Sequence, residues 1–80
     1  MTISNFRAAE ALYIVIVRHK DAENLLKQWV DQHTRISVQI ESNRMKIFDS
    51  QSLSVFQMDW AHSWEQVTIW DCWNKRHIEV

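Results

Sequence analysis

No glycine and no proline occurs among the 80 residues of this chain, although average proteins contain about 7% of the first and about 5% of the second. Every turn must therefore be formed by residues such as Asn, Asp, Ser and His. Glycine-rich phosphate loops, the dinucleotide-binding fingerprint and the Gly-x-Ser-x-Gly elbow all need glycine, because their backbones adopt positive φ or approach a ligand closely. The composition excludes these three kinds of functional loop.

Length and charge favour one small domain without a nucleic-acid partner. A chain of 80 residues is short even for a single domain, so we expect one core over residues 1–80. Nine basic and ten acidic residues leave a net charge of −1. Nonspecific binding to nucleic acid needs a basic surface, and this charge balance argues against such a partner.

Cysteine content and hydropathy bear on the compartment. Cys72 is the only cysteine, so no intramolecular disulfide can form, whereas small secreted domains usually depend on several. We therefore expect a reducing, cytoplasmic environment. The longest apolar run, residues 11–17, is far shorter than the roughly 20 residues of a membrane helix, and no membrane partner is expected.

The first half of the chain predicts a strand followed by a helix. Residues 12–17 are apolar on both faces and rich in β-branched side chains, which predicts a central strand. Residues 21–33 have apolar side chains at three- and four-residue spacing, which predicts a helix with Asp21 as its cap. That apolar stripe comprises Ala22, Leu25, Leu26, Trp29, Val30 and His33. The alanines of residues 4–11 favour a short helix before the strand.

Residues 34–49 predict a hairpin with a two-residue turn at Ser42 and Asn43. In this register polar and apolar side chains separate onto opposite faces, and opposite charges lie across from each other. The expected pairs are Ser37 with Phe48, Val38 with Ile47, Gln39 with Lys46, Ile40 with Met45, and Glu41 with Arg44. Asn43 is expected to adopt the left-handed conformation that such a turn needs.

The second half of the chain leaves two topologies open. Residues 52–64 read either as a helix with one apolar face or as a strand, whereas residues 66–72 and 77–80 predict strands. With a helix at 52–64, the order is strand-helix-strand-strand-helix-strand, that of the ferredoxin-like split β-α-β fold. The alternative is one helix packed on a strand meander. Both are α+β folds with helices on one sheet face, and we favour the first.

The aromatic residues are the strongest candidates for a binding site. Four of the five tryptophans fall within residues 60–73, where they could stack on a ligand or fill a small core. Trp70 and Trp73 are three positions apart, so they would lie on opposite faces of a strand that continued through both. One of them should then face outward. The candidate binding residues are Trp60, Trp64, Trp70, Trp73, Tyr13 and Phe48.

Few residues support catalysis. Asp59, His62 and either Glu65 or Gln66 would share a helix face, where such residues usually form a solvated surface and not a metal or acid–base site. His33, at the end of an apolar stripe, is more readily a packed residue than a ligand. We expect no metal site and no cofactor.

Cys72 and His77 form the only nucleophile–base pair that the sequence allows. A catalytic cysteine needs a depressed thiol pKa, and the adjacent Asp71 acts in the opposite direction. A packed and inert cysteine is therefore expected, and no catalytic residue is assigned.

The outer face of the predicted hairpin resembles, weakly, a platform for single-stranded RNA. It interleaves basic residues with one aromatic residue, but RNA-recognition sheets have several aromatics and a glycine. The residues expected on this face are Arg35, Ser37, Gln39, Glu41, Arg44, Lys46 and Phe48.

The sequence favours a small noncatalytic protein-interaction or regulatory domain. Residues 12–17 present one apolar set at Leu12, Ile14 and Ile16 and a second at Tyr13, Val15 and Val17. Helices on one sheet face can cover only one set, so we expect the other, joined by Phe48, to bury itself in a homodimer. Either set could be the covered one, and a second layer formed by the N-terminal ten residues could cover the remaining set in place of a second copy. The alternative function is a small-molecule binding domain with an aromatic pocket built from residues 60–73.

Overall fold

The computed structural model describes residues 10–79, apart from the side chain of Trp64. Its elements are β1 (Tyr13–Val17), α1 (Ala22–Asp31), β2 (Val38–Glu41), β3 (Arg44–Ile47), α2 (Ser50–Trp60), β4 (Val67–Asp71) and β5 (Arg76–Ile78). A 3₁₀ segment, Ala61–Gln66, joins α2 to β4. The predicted α+β class and element order are confirmed, with β5 as the added edge strand. The helix expected within residues 4–11 lies outside the described residues except for Glu10 and Ala11, which are not helical.

One antiparallel sheet contains all five strands, in the order β2-β3-β1-β4-β5. β1 is central, as its two apolar faces predict. β2 and β4 lie on opposite sides of the β1–β3 pair, which is the split β-α-β arrangement, and β5 continues the sheet beyond β4. The fold is therefore the ferredoxin-like one that the sequence favoured, with one more strand, and not a meander with one helix.

The hairpin of β2 and β3 has the predicted register. Its Cα partners are Val38 with Ile47, Gln39 with Lys46, Ile40 with Met45, and Glu41 with Arg44. The backbone N–H of Phe48 donates to the carbonyl of Ser37 at 2.9 Å, which extends the pairing as expected.

The turn between β2 and β3 differs from the prediction. Its positive φ, 57°, is at Ser42 and not at Asn43. Asn43 instead ties the turn to the central strand: its carbonyl accepts from the N–H of Val17 at 2.9 Å, and its side-chain amide donates to the carbonyl of Val17 at 3.3 Å. A second non-glycine residue, Lys75, has φ of 56° in the β4–β5 turn. Both turns thus take left-handed φ values without glycine.

α1 is shorter than the predicted helix at residues 21–33. Asp21 occupies the cap position but its side chain makes no capping hydrogen bond, since its backbone has φ −104° and ψ 26°, outside the extended region that a capping side chain needs. Its backbone N–H instead donates to Nδ1 of His19 at 3.0 Å. At the other end the regular helix stops at Asp31. The predicted stripe does face the core, where Ala22, Leu26 and Trp29 are buried.

α2 settles the ambiguity at residues 52–64 in favour of a helix. Asp49 caps it, with its carboxylate accepting from the N–H of Ser52 at 2.7 Å. Hydrogen bonds from Ser52, the side-chain one first, lower the pKa of the Asp49 carboxyl. Leu53 and Phe56 are buried on the predicted apolar face. The regular helix ends at Trp60, because the chain tightens into the 3₁₀ segment and Ser63 there departs from helical geometry.

The core lies between the two helices and one face of the sheet. The helices contribute Ala22, Leu26, Trp29, Leu53 and Phe56, and the strands contribute Val15, Val17, Met45, Ile47, Val67 and Ile69. Phe56 and Leu26 are the largest side chains that are completely buried. We call the face of the sheet that these strand residues occupy the inner face, and the opposite one the outer face.

Ser52 supplies a polar link inside this core, and replacing it tests that link. Its side chain is completely buried, and its Oγ accepts from the N–H of Ser37 at 2.8 Å. S52A leaves that N–H without its acceptor, so we expect it to lower the free energy of unfolding by about 1–3 kcal/mol. Urea denaturation gives the value. S54A, an exposed position on the same helix, should change stability little, and equal effects at both sites would contradict the assigned hydrogen bond.

Candidate interaction surface

The two apolar sets of β1 have different environments. Val15 and Val17 are completely buried on the inner face, and Tyr13 packs against the core from the same side. Ile14 and Ile16 point to the outer face and are only half-buried. Both helices pack on the inner face, and among the described residues no element packs over Ile14 and Ile16. The set at Leu12, Ile14 and Ile16 is thus the one that the helices leave uncovered.

Neighbouring strands arrange the outer face in rows across the sheet. Ile14 lies between Lys46 of β3 and Trp70 of β4, and His77 of β5 follows Trp70. In the next row, Ile16 lies between Arg44 and Thr68. Since residues of one row on one face are neighbours, Ile14 has a basic side chain on one side and an uncharged one on the other. Ile16 has Arg44 on one side and, on the other, Thr68 with the guanidinium of Arg18 hydrogen-bonded to it.

A third row adds apolar residues beyond Ile14. The N–H of Cys72 donates to the carbonyl of Leu12 at 2.9 Å, which continues the β1–β4 register by one residue. On the other side, the N–H of Leu12 donates to the carbonyl of Ile47 at 2.9 Å. Leu12 therefore lies between Cys72 and Phe48. The outer patch is defined by the apolar residues Leu12, Ile14, Ile16, Phe48, Trp70 and Cys72 with the rim residues Gln39, Glu41, Arg44, Lys46, Thr68 and His77.

Two contacts hold side chains of the outer patch in place. The Trp70 and His77 rings meet edge to face, with centroids 4.9 Å apart and planes at 70°. At the other end of β4, the guanidinium of Arg18 donates to Oγ1 of Thr68 and, at 2.8 Å, to the carbonyl of Glu65. Trp70 and His77 are therefore held by contact with each other, and Thr68 is held by the guanidinium of Arg18.

The tryptophans do not all lie on this surface. Trp70 is on the outer face, half-buried, whereas Trp60 stacks on Phe56 on the helix side, with ring centroids 5.1 Å apart. Trp73 is 82% exposed. β4 ends at Asp71, so Trp73 lies in the β4–β5 turn. Its exposure therefore comes from the turn and not from alternation along a strand. The side chain of Trp64 is outside the described part of the chain.

Asp71 builds the turn that presents Trp73. Its carboxylate accepts from the backbone N–H groups of Trp73 and Asn74 at 3.1 and 3.0 Å, and from the side-chain amide of Asn74 at 2.9 Å. The side-chain bond from Asn74, followed by the backbone bonds, lowers the pKa of the Asp71 carboxyl. Asp71 therefore acts as a turn-stabilising residue, a role that the sequence analysis did not assign.

Asp59 joins the two helices and is not part of a cluster with His62. Its Oδ2 accepts from the indole N–H of Trp29 at 2.8 Å and lies 3.0 Å from Nε2 of His33. The Trp29 ring in turn meets His33 at 5.1 Å and Phe56 edge to face at 5.2 Å. This explains why His33 continues the apolar stripe: it packs on Trp29 and faces a carboxylate. The link also connects α1 to α2 on the side opposite the outer patch.

The Asp59 link predicts acid sensitivity. The hydrogen bond from Trp29, and then the bond and charge of His33, lower the pKa of the Asp59 carboxyl below its ordinary value of 3.8. A carboxyl whose pKa is lower when folded contributes stability above pH 3.8, and that stability is lost as the pH falls towards the folded pKa. We therefore expect D59N to flatten the loss of stability between about pH 4 and pH 2, measured by thermal unfolding at each pH. D31N, at an exposed position, should keep the wild-type slope, and an unchanged slope in D59N would contradict the link.

Cys72 is in surroundings that disfavour the thiolate. Burial first, and then the negative charges of Asp71 and Glu10, raise the pKa of the thiol. The His77 ring, the base that the sequence paired with this thiol, meets Trp70 edge to face. Among residues 10–79, no group of three or more His, Cys, Asp or Glu side chains is arranged to hold a metal ion.

Comparison of the chain with protein-family models, with curated proteins and with solved structures gives no match. Within the described part of the chain, neither helix has the length and hydropathy needed to cross a membrane. Among the outer-patch residues, sequence reasoning assigned only Phe48 and Trp70 to the binding site. The sequence did place Arg44 and Lys46 on the outer face of the hairpin, but only the β1–β3 pairing shows that they flank Ile16 and Ile14. Thr68 carried no signal, because its place beside Ile16 depends on the β1–β4 pairing.

Proposed function

We propose that this chain is a small noncatalytic interaction domain that binds a protein partner through the outer patch. The observation that carries the proposal is the half-buried apolar row at the centre of a sheet face that the helices do not cover. An apolar centre with a polar rim, with Trp and Arg among its residues, is typical of protein–protein interfaces. Single-stranded RNA platforms, in contrast, stack bases on several exposed aromatics. In this patch Phe48 and Trp70 are half-buried, and the Trp70 ring is engaged edge to face by His77.

The state of the candidate catalytic groups supports a noncatalytic role. A raised pKa keeps the Cys72 thiol protonated, and a protonated thiol is a poor nucleophile. Asp59 is engaged by Trp29 and His33, so its carboxylate serves a structural link. A cytoplasmic location is part of the same proposal, since one half-buried thiol suits a reducing environment.

The arrangement of the described tryptophans favours an interaction surface over an aromatic pocket. Trp60, Trp70 and Trp73 belong to the helix side, the outer face and the β4–β5 turn respectively. A pocket for a small molecule needs side chains that converge on one cavity. The separate positions of these side chains therefore favour the interaction domain over the small-molecule binding domain.

Site-specific photo-crosslinking in cells tests the proposal. A photoreactive side chain is placed at Ile16 in the outer patch, and at Asn24, exposed on α1, as the matched control. We expect protein adducts from position 16 and none above background from position 24. W70D should abolish the adducts from position 16, because a charge in the centre of the patch disrupts an apolar interface.

Three outcomes would contradict the proposal. Adducts to RNA alone from position 16 would indicate a nucleic-acid platform. Protein adducts that persist in W70D would show that the patch does not provide the contact. Equal labelling from positions 16 and 24 would show that the outer face is not a specific docking surface.

A further inference from the structure

We propose that the protein segment bound by the outer patch is acidic and amphipathic, with apolar side chains over Ile14 and Ile16 and carboxylates that reach the cations beside them. This inference rests on the proposed function and specifies the chemistry of the partner. The cations are Arg18, Arg44 and Lys46, which we call the basic set.

Cations lie on both sides of Ile16. On the β3 side, Arg44 is aligned with Ile16. On the β4 side, the residue aligned with Ile16 is Thr68, and the guanidinium of Arg18 donates to its Oγ1. A carboxylate that docks beside Ile16 therefore meets a positive charge on either side of the strand.

Arg18 is already held in a position that suits a carboxylate. Its guanidinium donates to Thr68 and, at 2.8 Å, to the carbonyl of Glu65, whereas an arginine offers five N–H donors. The side chain is exposed, so the other donors can face a bound segment. Because the side chain is ordered before binding, little conformational entropy is lost when a carboxylate binds.

The charge of the basic set is not neutralised by ion pairs within residues 10–79. The ion pairs there lie within α1 and between the end of α1 and α2, which is the side opposite the outer patch. Glu41 is the one carboxylate among the outer-patch residues, and it is aligned with Arg44 across the hairpin without forming an ion pair. Three cations beside one carboxylate attract a negatively charged partner.

The other end of the patch has the opposite charge. The negative charges of Asp71 and Glu10 act on the thiol of Cys72 and, after burial, raise its pKa. A carboxylate of the partner would be repelled there. We therefore expect the acidic part of the partner at Ile16 and its uncharged apolar part towards Leu12 and Cys72.

A protein segment suits this surface better than a nucleic acid. The basic set could contact phosphates, but bases need exposed aromatic rings on which to stack. Phe48 and Trp70 are half-buried, and the isoleucines between the cations match apolar side chains. Apolar and acidic groups on one segment satisfy both features of the patch.

Selection from a displayed library of random short peptides reports the chemistry that the patch prefers. The full chain is the bait, and peptides that also bind W70D are discarded. We expect the enriched peptides to combine apolar residues with several Asp or Glu residues. The most enriched peptide is synthesised with a fluorescent label, and its dissociation constant by fluorescence anisotropy should rise about tenfold or more between low and high salt.

A charge exchange within the hairpin tests the position of the cations. E41R/R44E keeps the total charge of the chain and an opposite-charge pair across the hairpin, but it places a carboxylate beside Ile16. We expect it to weaken binding of the selected peptide by about tenfold or more, and R18E should act similarly. K27E, which reverses an exposed cation on α1, is the control and should leave the affinity unchanged. Near-ultraviolet circular dichroism confirms the fold of each variant.

Removal of the carboxylate of Glu41 should have the opposite effect. E41Q is expected to tighten binding of the same peptide by up to about fivefold, because it removes the one negative charge of the patch. Tighter binding is a result that a merely structural effect of the substitution would not give, and weaker binding in E41Q with its fold intact would contradict the proposal.

The outcomes separate this inference from the proposed function. Enriched peptides that are neutral or basic, and that fail to bind W70D, would overturn the acidic partner but support an interaction domain. The absence of any peptide that distinguishes the wild type from W70D would also overturn it, while photo-crosslinking at position 16 would still decide whether the patch binds a protein. Tighter binding of a single-stranded oligouridylate than of the peptide would indicate a nucleic acid. Self-association of the wild type that is lost in W70D, measured by sedimentation equilibrium, would show that a second copy occupies the patch.

Discussion

Leu26→Ala is expected to lower the free energy of unfolding by about 2–5 kcal/mol, enough to unfold much of a domain whose total stability is about 5–10 kcal/mol. Leu26 is completely buried beneath the sheet, so its removal leaves a cavity that surrounding side chains fill only in part. Trp29→Ala should cost about as much, because it removes both a buried ring and the hydrogen bond to Asp59. Chemical denaturation followed by circular dichroism gives both values.

Gln28→Ala is the matched control for these two substitutions. Gln28 lies between them in sequence but is exposed on the opposite face of α1, and its replacement should change stability by less than about 0.5 kcal/mol. Similar losses at all three positions would mean that α1 does not present its apolar stripe to the core.

Val15→Lys is expected to prevent folding, whereas Ile14→Lys should give a folded protein that binds its proposed partner through the outer patch less well. The two residues are neighbours on β1, but Val15 is completely buried on the inner face and Ile14 is half-buried on the outer one. A lysine at position 15 would bury an unpaired charge, which costs several kcal/mol. At position 14 the ammonium group can reach water along the outer face.

Two measurements distinguish these effects. The near-ultraviolet circular dichroism of the tryptophans reports packing, and photo-crosslinking from position 16 reports binding through the outer patch. We expect native packing with loss of the adducts in I14K, and loss of packing in V15K. Native packing in V15K would contradict the assignment of the inner face.

The hairpin was predictable because a single register satisfies several independent requirements. Polar and apolar residues alternate on both strands, and Glu41 meets Arg44. A slip by one residue would have moved each side chain to the wrong face. The turn residue was not predictable to the same degree, because Asn43 contacts Val17 of another strand. A contact of this kind depends on the pairing of β1 with β3, which no local pattern contains.

The choice of outer face could not be predicted from β1 alone. Both of its apolar sets consist of large apolar side chains, most of them β-branched, so alternation shows that two faces exist but not which of them the helices cover. The structure decides this through the partners of β1, since Val15 is aligned with Met45 and Ile69, which are both buried. Similarly, alternation of side chains along a strand could not predict the position of Trp73, because the strand ends at Asp71 and the chain then turns.

The position of β1 has a consequence for the order of folding. Its neighbours come from distant parts of the chain: Tyr13 is aligned with Ile47 on one side and with Asp71 on the other. Loops of this length must close before the central pairings form, and such non-local contacts slow folding relative to a helical protein of equal size. During synthesis, β1 and α1 leave the ribosome long before β4, so the edge of β1 that pairs with β4 stays unpaired until residue 71 has emerged. That interval, and not the native state, is when this strand is most exposed to aggregation.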